Sequence, residues 1–228
     1  MAAKKTTRKH SAVKKPAAKK TATKTPAKKS SEKVAAKSTV QPTPAKQPAT
    51  KKAPQSMPYE LGKWAHAYTR APGERRFWLI KSEPDVFSYS DLEAAPHQTT
   101  CWDSIRNTGA RNFLRDAMKI GDQAFYYHSN AEPSAIVGIC EVVREGYPDF
   151  TALDPKHPYY DPDSVAETPT WFMVDVKAVR ALERPVTLPE IKASKALAEM
   201  ALVKVSRLSV VPVTAGEWEI VQAMARGA

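Results

Sequence analysis

No Phe, Trp or Tyr occurs before Tyr59, and residues 1–56 are almost entirely Lys, Ala, Thr, Pro and Ser, their apolar content being nearly all Ala and Val. A segment with so little apolar surface cannot offset the entropy of ordering its backbone, so residues 1–56 are expected to be a disordered tail, and any core has to come from the rest of the chain. The same break divides the charge. Residues 1–56 carry 15 Lys and one Arg against one Glu; the other 172 carry 19 basic and 23 acidic side chains, a net of −4 within a formal total of +11. A dense cationic tail binds polyanions by releasing their condensed counterions, without reading sequence. Lys14, Lys15, Lys19, Lys20, Lys28 and Lys29 are the expected phosphate contacts of that kind.

The two cysteines, Cys101 and Cys140, cannot by themselves build a disulfide framework or a four-ligand zinc site, and unpaired thiols fit a reducing, intracellular compartment. No apolar run reaches the length of a membrane span, and the basic N-terminus lacks the apolar stretch of a secretory signal. No membrane partner is expected. The chain holds no GxGxxG, P-loop, GxSxG or HExxH motif, and its five histidines show no ligand spacing, so neither metal nor cofactor is expected. Cys101 could be a nucleophile only with a base, for which His128 is the candidate; the competing reading is a small buried hydrophobe. The balance is against an enzyme.

Residues 57–75 read as a linker. Trp64 and Tyr68, four apart, would share one face of a helical turn, but packing on the domain and a free lid or linker fit equally. The folded domain is expected over 76–226. FWLIK (77–81) reads as a buried strand, and Ser90 with Glu93 has capping-box spacing for a helix over 90–95. A Cys-Trp-Asp turn then leads into a helix carrying Phe113, Leu114, Ala117 and Met118 on one face, broken at Gly121-Asp122. Further strands are predicted over 123–128, 135–143, 171–179 and 208–213. Helices are predicted from Leu188 to about Met200 and from Thr214, with Glu217 at capping-box spacing, to about Ala225. A long proline- and acid-rich loop (146–170) separates two of the strands. The pattern predicts an α+β domain around a small, barrel-like sheet.

Binding signals are richer than catalytic ones. Trp78, Trp102, Tyr126, Tyr127, Tyr159, Tyr160 and Trp171 fall at strand ends, at a helix entry or in the loop, alongside Lys81, Ser82, Asp103, Asn107, His128, Ser129 and Asp161. Rings flanking a flat group, with polar atoms at its edge, suit a flipped nucleobase. The alternative stays open: Trp102 as a core anchor, with Asp103 and Asn107 as caps and turn formers.

The segments FWLIKSEP (77–84), QTTCWDSIRNTGARNFLR (98–115), AFYYHSN (124–130), YPD (147–149), HPYYDP (157–162) and WFMVDVKAV (171–179) together resemble the EVE domain family. The resemblance covers about residues 76–226. It implies a PUA-like pseudobarrel of short, mostly antiparallel strands with flanking helices, related to YTH and ASCH domains and used to recognise modified bases in DNA or RNA. By position it implies a pocket with Lys81 and Ser82 at a strand end, Trp102 and Trp171 as aromatic walls, and Asn107, His128 and Ser129 as polar edge, to which the reading of the residues adds Asp103. Tyr160 would stand in the closing loop. Thr108 departs from the family's frequent aromatic at that place, which would leave one edge of the pocket open. Arg106 and Arg111 would then face phosphate. The tail, outside the family domain, resembles those of linker histones and bacterial histone-like proteins. The expected function is a nucleic-acid-binding reader of a modified base, in nucleoid or nucleus. The alternatives are a histone-like protein acting through its tail and, less favoured, an enzyme acting on modified nucleotides.

Overall fold

The computed structural model describes residue 62 and residues 64–227. The tail and its lysines Lys14, Lys15, Lys19, Lys20, Lys28 and Lys29 lie outside the described residues. Six strands, β1 (Phe77–Ser82), β2 (Thr99–Trp102), β3 (Gln123–His128), β4 (Ala135–Pro148), β5 (Phe172–Thr187) and β6 (Val210–Val213), form one sheet in the order β2-β5-β4-β3-β1-β6. Only β1 and β3 pair in parallel. The helices are α1 (Ala65–Tyr68), α2 (Tyr89–Ala94), α3 (Thr108–Asn112, continued by a π-helical turn over Phe113–Ala117), α4 (Leu188–Ala193), α5 (Ala201–Lys204) and α6 (Ala215–Ala225). This is the expected α+β fold with a mostly antiparallel sheet.

Several elements differ in extent. The expected turn at Cys101-Trp102 is strand β2, paired along β5. β4 and β5 run to Pro148 and Thr187, well past the ends predicted at 143 and 179, because register shifts interrupt their pairing at four places and blur the period-2 pattern. The helix expected from Leu188 to Met200 breaks at Ser194, which is extended and separates α4 from a 3₁₀ turn and α5. The cap of α2 is Ser88 with Asp91, two residues earlier than Ser90 with Glu93.

Alternation along the strands sorts the core onto two faces. Trp78, Ile80, Ala124, Tyr126, Cys140, Val142, Val174, Val176, Val210 and Trp102 come from all six strands and pack with α2, α3 and the π-helical turn. Leu79, Phe125, Tyr127, Ile139, Leu182 and Val211 face the other way and meet α4, α5 and α6 through residues such as Ile191, Leu202 and Trp218. The first face is the inside of a curl. Three strand spacings separate β2 from β3, about 14 Å in a flat sheet. Yet the Trp102 and Tyr126 rings meet edge to face with centroids 5.4 Å apart. The bulged β4–β5 ladder bends to allow this. At Gly138, beside one register shift, a Cβ would stand 2.4 Å from the Tyr89 ring, so no larger residue fits without displacing α2.

The segment before β1 packs onto this domain. Tyr68 stacks on Phe113 and Trp64 meets it edge on, at centroid distances of 5.7 and 6.2 Å. Arg70 grips the buried Asp122 through both terminal nitrogens at 2.9 and 2.8 Å. The same carboxylate accepts the main-chain N–H of Arg76 and Lys119 and the indole N–H of Trp78.

Candidate nucleic-acid interface

Curling brings the two ends of the strand order together, and a cleft of about 780 Å³ opens between them. Cys101, Trp102 and Asp103 line it from β2 and its exit; Lys81 and Ser82 from the end of β1; Ser129 from just past β3; and residues 206–209 from the approach to β6. Tyr159 from the long loop and Val86 and Phe87 from the turn after β1 complete the rim. The Lys81-Ser82 and Ser129 ends lie side by side because β1 and β3 are parallel, with Ser129 N–H donating to the Ser82 carbonyl at 2.8 Å.

The far wall is held by a second buried carboxylate. Asp149 accepts the Ser104 N–H at 3.0 Å, an Arg106 Nη1–H at 2.7 Å, and both the N–H and hydroxyl of Thr151. Burial pushes its pKa up, but the hydrogen bonds from Thr151 and Arg106 outweigh this and hold it below the usual Asp range. Ser104 has φ +61°, a left-handed conformation that a non-glycine residue adopts only when its surroundings hold it there. Those holds are Asp149 on its N–H and Asp103 on its hydroxyl, at 2.6 Å. Arg106 completes the wall by donating from Nε to the Tyr159 carbonyl at 2.8 Å, which sets the loop tyrosine at the cleft.

The expected site residues separate accordingly. Lys81, Ser82, Trp102, Asp103 and Ser129 converge on the cleft. Trp102 is 7% exposed, so it is both core and wall, and its indole N–H has no acceptor among the described residues. Asn107 does not line the cleft: it caps α3, its side chain accepting from the N–H groups of Gly109 and Ala110. His128 lies behind the wall, edge-on to Tyr126, with Nε2 accepting the first N–H of α2 at 3.1 Å. Burial lowers its pKa, consistent with the neutral acceptor that bond requires. Trp171 sits outside the cleft, its N–H bonded to Asp161 and its ring flanked by the guanidiniums of Arg106 and Arg111 at 5.4 and 5.7 Å. Tyr160 does not line the cleft; its neighbour Tyr159 does.

The two arginines expected at phosphate are engaged within the fold, Arg106 as above and Arg111 on Asn112 and the Thr170 carbonyl. Cys101 donates its thiol to Asp103 at 3.2 Å, and burial together with that carboxylate pushes its pKa to about 12, so it is a neutral donor at physiological pH. Among the described residues no three His, Cys, Asp or Glu side chains group as a metal site, and no helix is long and apolar enough to cross a membrane.

Reading the sequence put Tyr160 ahead of Tyr159 and missed Ser104, Phe87 and the whole 206–209 wall. A Ser-Arg-Leu-Ser run ahead of a strand is an ordinary loop until the sheet curls it against β1. The Pro-Tyr-Tyr pair offered two rings with nothing local to choose between them.

A curled, mostly antiparallel sheet with helices packed on both faces and a cleft at its seam defines a PUA-like α+β domain. Residues 76–224 match the EVE domain model, and the chain belongs to the EVE domain family. Human thymocyte nuclear protein 1 is 46% identical over 161 residues, 63% of this chain and 71% of that protein. Among solved structures, human THYN1 in complex with 5-methylcytosine-containing DNA is 43% identical with a TM-score of 0.64, covering 66% of this chain and 97% of that one. A hypothetical protein from Leishmania major is 44% identical with a TM-score of 0.65, covering 69% and 98%.

Proposed function

We propose that this domain binds nucleic acid and admits one modified base, extruded from its stack, into the cleft at the seam of the sheet. The observation that carries the reading is the cleft itself, whose lining brings Trp102 and the loop ring of Tyr159 together with two carboxylates, Glu83 and Asp103, and five serines. Its composition suits a flat group with polar edges. The complex of the 43%-identical human THYN1 with 5-methylcytosine-containing DNA supports a methylated cytosine as the first base to try. Trp102 and Tyr159 would offer the stacking faces, Asp103 would accept from an exocyclic amino group, and Ser82 and Ser129 would serve the remaining edge. The Lys-rich tail would add affinity without selectivity.

A methyl group filling space beside those rings is worth roughly 0.8 kcal/mol, or about a fourfold preference over the unmodified base. Fluorescence anisotropy with the full chain and oligonucleotides differing only in one 5-methylcytosine should show at least that ratio. Trp102→Ala should bring it to one and weaken both oligonucleotides by the lost stacking, about 1–3 kcal/mol, with Trp102→Phe as the variant that keeps the core filled. Equal binding of the two oligonucleotides by the native protein would overturn the reading.

A further inference from the structure

With Arg106 and Arg111 engaged inside the fold, the cationic groups left at the cleft are Lys81 and Arg207. Lys81 ends β1, and its half-buried ammonium has one partner, the Ser206 carbonyl at 2.9 Å. Among the described residues no carboxylate comes within ion-pair distance of it. An ammonium has three donors, so two are unspent on a group that burial has partly stripped of water. Desolvation lowers its pKa accordingly, and an anion beside it would relieve that cost.

Lys81 also positions its neighbour. Its main-chain N–H donates to the Ser209 carbonyl at 2.9 Å while its ammonium holds that of Ser206, so residues 206–209 are strapped to β1 at both ends. Arg207 stands between the two straps. It is exposed, lines the same cleft, and among the described residues has no hydrogen-bond or ion-pair partner. Across the cleft, Asp103 holds two donors of the protein and presents the opposite charge. The lining therefore sets Lys81 and Arg207 on the β1–β6 side, where the one carboxylate, Glu83, accepts from Asn130 at 2.6 Å, against Asp103 at the β2 exit.

We infer that Lys81 and Arg207 form a phosphate seat at the mouth of the cleft, taking the phosphate attached to the nucleotide whose base is held inside, and that with Asp103 they fix the direction in which that nucleotide enters. The inference rests on the base-binding reading. The phosphate is either a backbone diester or the monoester of a free nucleotide; both present the same anionic oxygens.

The test uses the full chain at one fixed salt concentration. Short oligonucleotides carrying one 5-methylcytosine, or cytosine in its place, are compared with versions having an uncharged methylphosphonate at the linkage 5′ or 3′ to that residue. Neutralising one of the two linkages should weaken binding about tenfold for the native protein and clearly less for Arg207→Gln, in which Lys81 alone remains, with Arg207→Lys recovering part of the loss. The loss should be the same for cytosine and 5-methylcytosine, because phosphate contacts carry no base information. Comparing 5-methyldeoxycytidine with its 5′-monophosphate separates the sources: an Arg207-dependent gain from the monophosphate assigns a monoester as well, and no gain restricts the seat to the diester. Equal methylphosphonate losses in the native protein and Arg207→Gln, with no Arg207-dependent gain from the monophosphate, would overturn the seat. An Arg207-dependent linkage effect with no preference for the methylated base would keep the seat and remove the base reading.

Discussion

Asp122 and Asp149 are each 1% exposed, and each is saturated by one arginine, main-chain N–H groups and one further side-chain donor, yet they join different parts of the molecule. Asp122 collects Arg70 from the entry segment, Arg76 and Trp78 at the start of β1, and Lys119 ahead of β3. All of these belong to the frame, and Trp78 is in the core. Asp149 collects Ser104 and Arg106 from the chain leaving β2 and Thr151 from the loop after β4. Those two pieces form the far wall of the cleft. One local chemistry thus serves two ends: Asp122 holds the fold closed, and Asp149 holds a wall of the cleft in a strained shape.

Removing each carboxylate should separate these roles. Asp122→Ala leaves a core indole N–H and two amides without their acceptor and Arg70 with only the Ala117 and Glu74 carbonyls, and should cost about 3–5 kcal/mol in urea unfolding, with base selectivity of the remaining folded protein unchanged. Asp149→Ala should cost less, about 1–3 kcal/mol, because no core indole is left unpaired and the freed Ser104 amide borders an open cleft that admits water. Its larger effect should be on recognition, with the preference for a methylated base falling toward one as Ser104 relaxes. Unchanged selectivity in Asp149→Ala would erase the distinction between the two sites.

The loop tyrosines sharpen the same contrast without touching a carboxylate. Both are exposed, so Tyr159→Ala and Tyr160→Ala should each change stability by no more than about 0.5 kcal/mol. Only Tyr159→Ala should weaken oligonucleotide binding, by about 1–3 kcal/mol in an anisotropy titration. The smallest expected effect is on acid stability. A carboxyl held below its unfolded pKa contributes fully above that value, about 3.9 for Asp, and its contribution is lost as pH falls through the folded value. Unfolding free energy between about pH 5 and pH 2 should therefore fall less steeply in Asp149→Asn than in the native protein.

Much of the fold was legible because its signals are local. The Thr214–Glu217 capping box forms as read, since both partners lie within one turn. Phe113, Leu114, Ala117 and Met118 are all buried as their spacing requires, although the backbone there widens into a π-helical turn. The misplaced cap of α2 shows the limit of such reading. Ser88–Asp91 and Ser90–Glu93 have identical spacing, and the choice between them involves the Phe87 carbonyl, which accepts the Tyr126 hydroxyl from 39 residues away.

The site was legible in part. Lys81, Ser82, Trp102, Asp103 and Ser129 reach the cleft because strand ends put them there, whereas Trp171, Asn107 and His128 look the same in sequence and are held elsewhere by Asp161, α3 and α2. The amino-acid sequence alone determined that the core lies beyond the lysine-rich segment, which strands alternate, and where most helices start, because those properties depend on hydrogen bonds and burial within a few residues. Tertiary structure alone decided that β2 faces β1, which tyrosine of the pair lines the cleft, and that Arg106 is engaged inside the fold while Arg207 has no partner among the described residues. Those outcomes depend on the curl of a bulged sheet and on contacts between residues some 40 to 125 positions apart, and no local spacing encodes them.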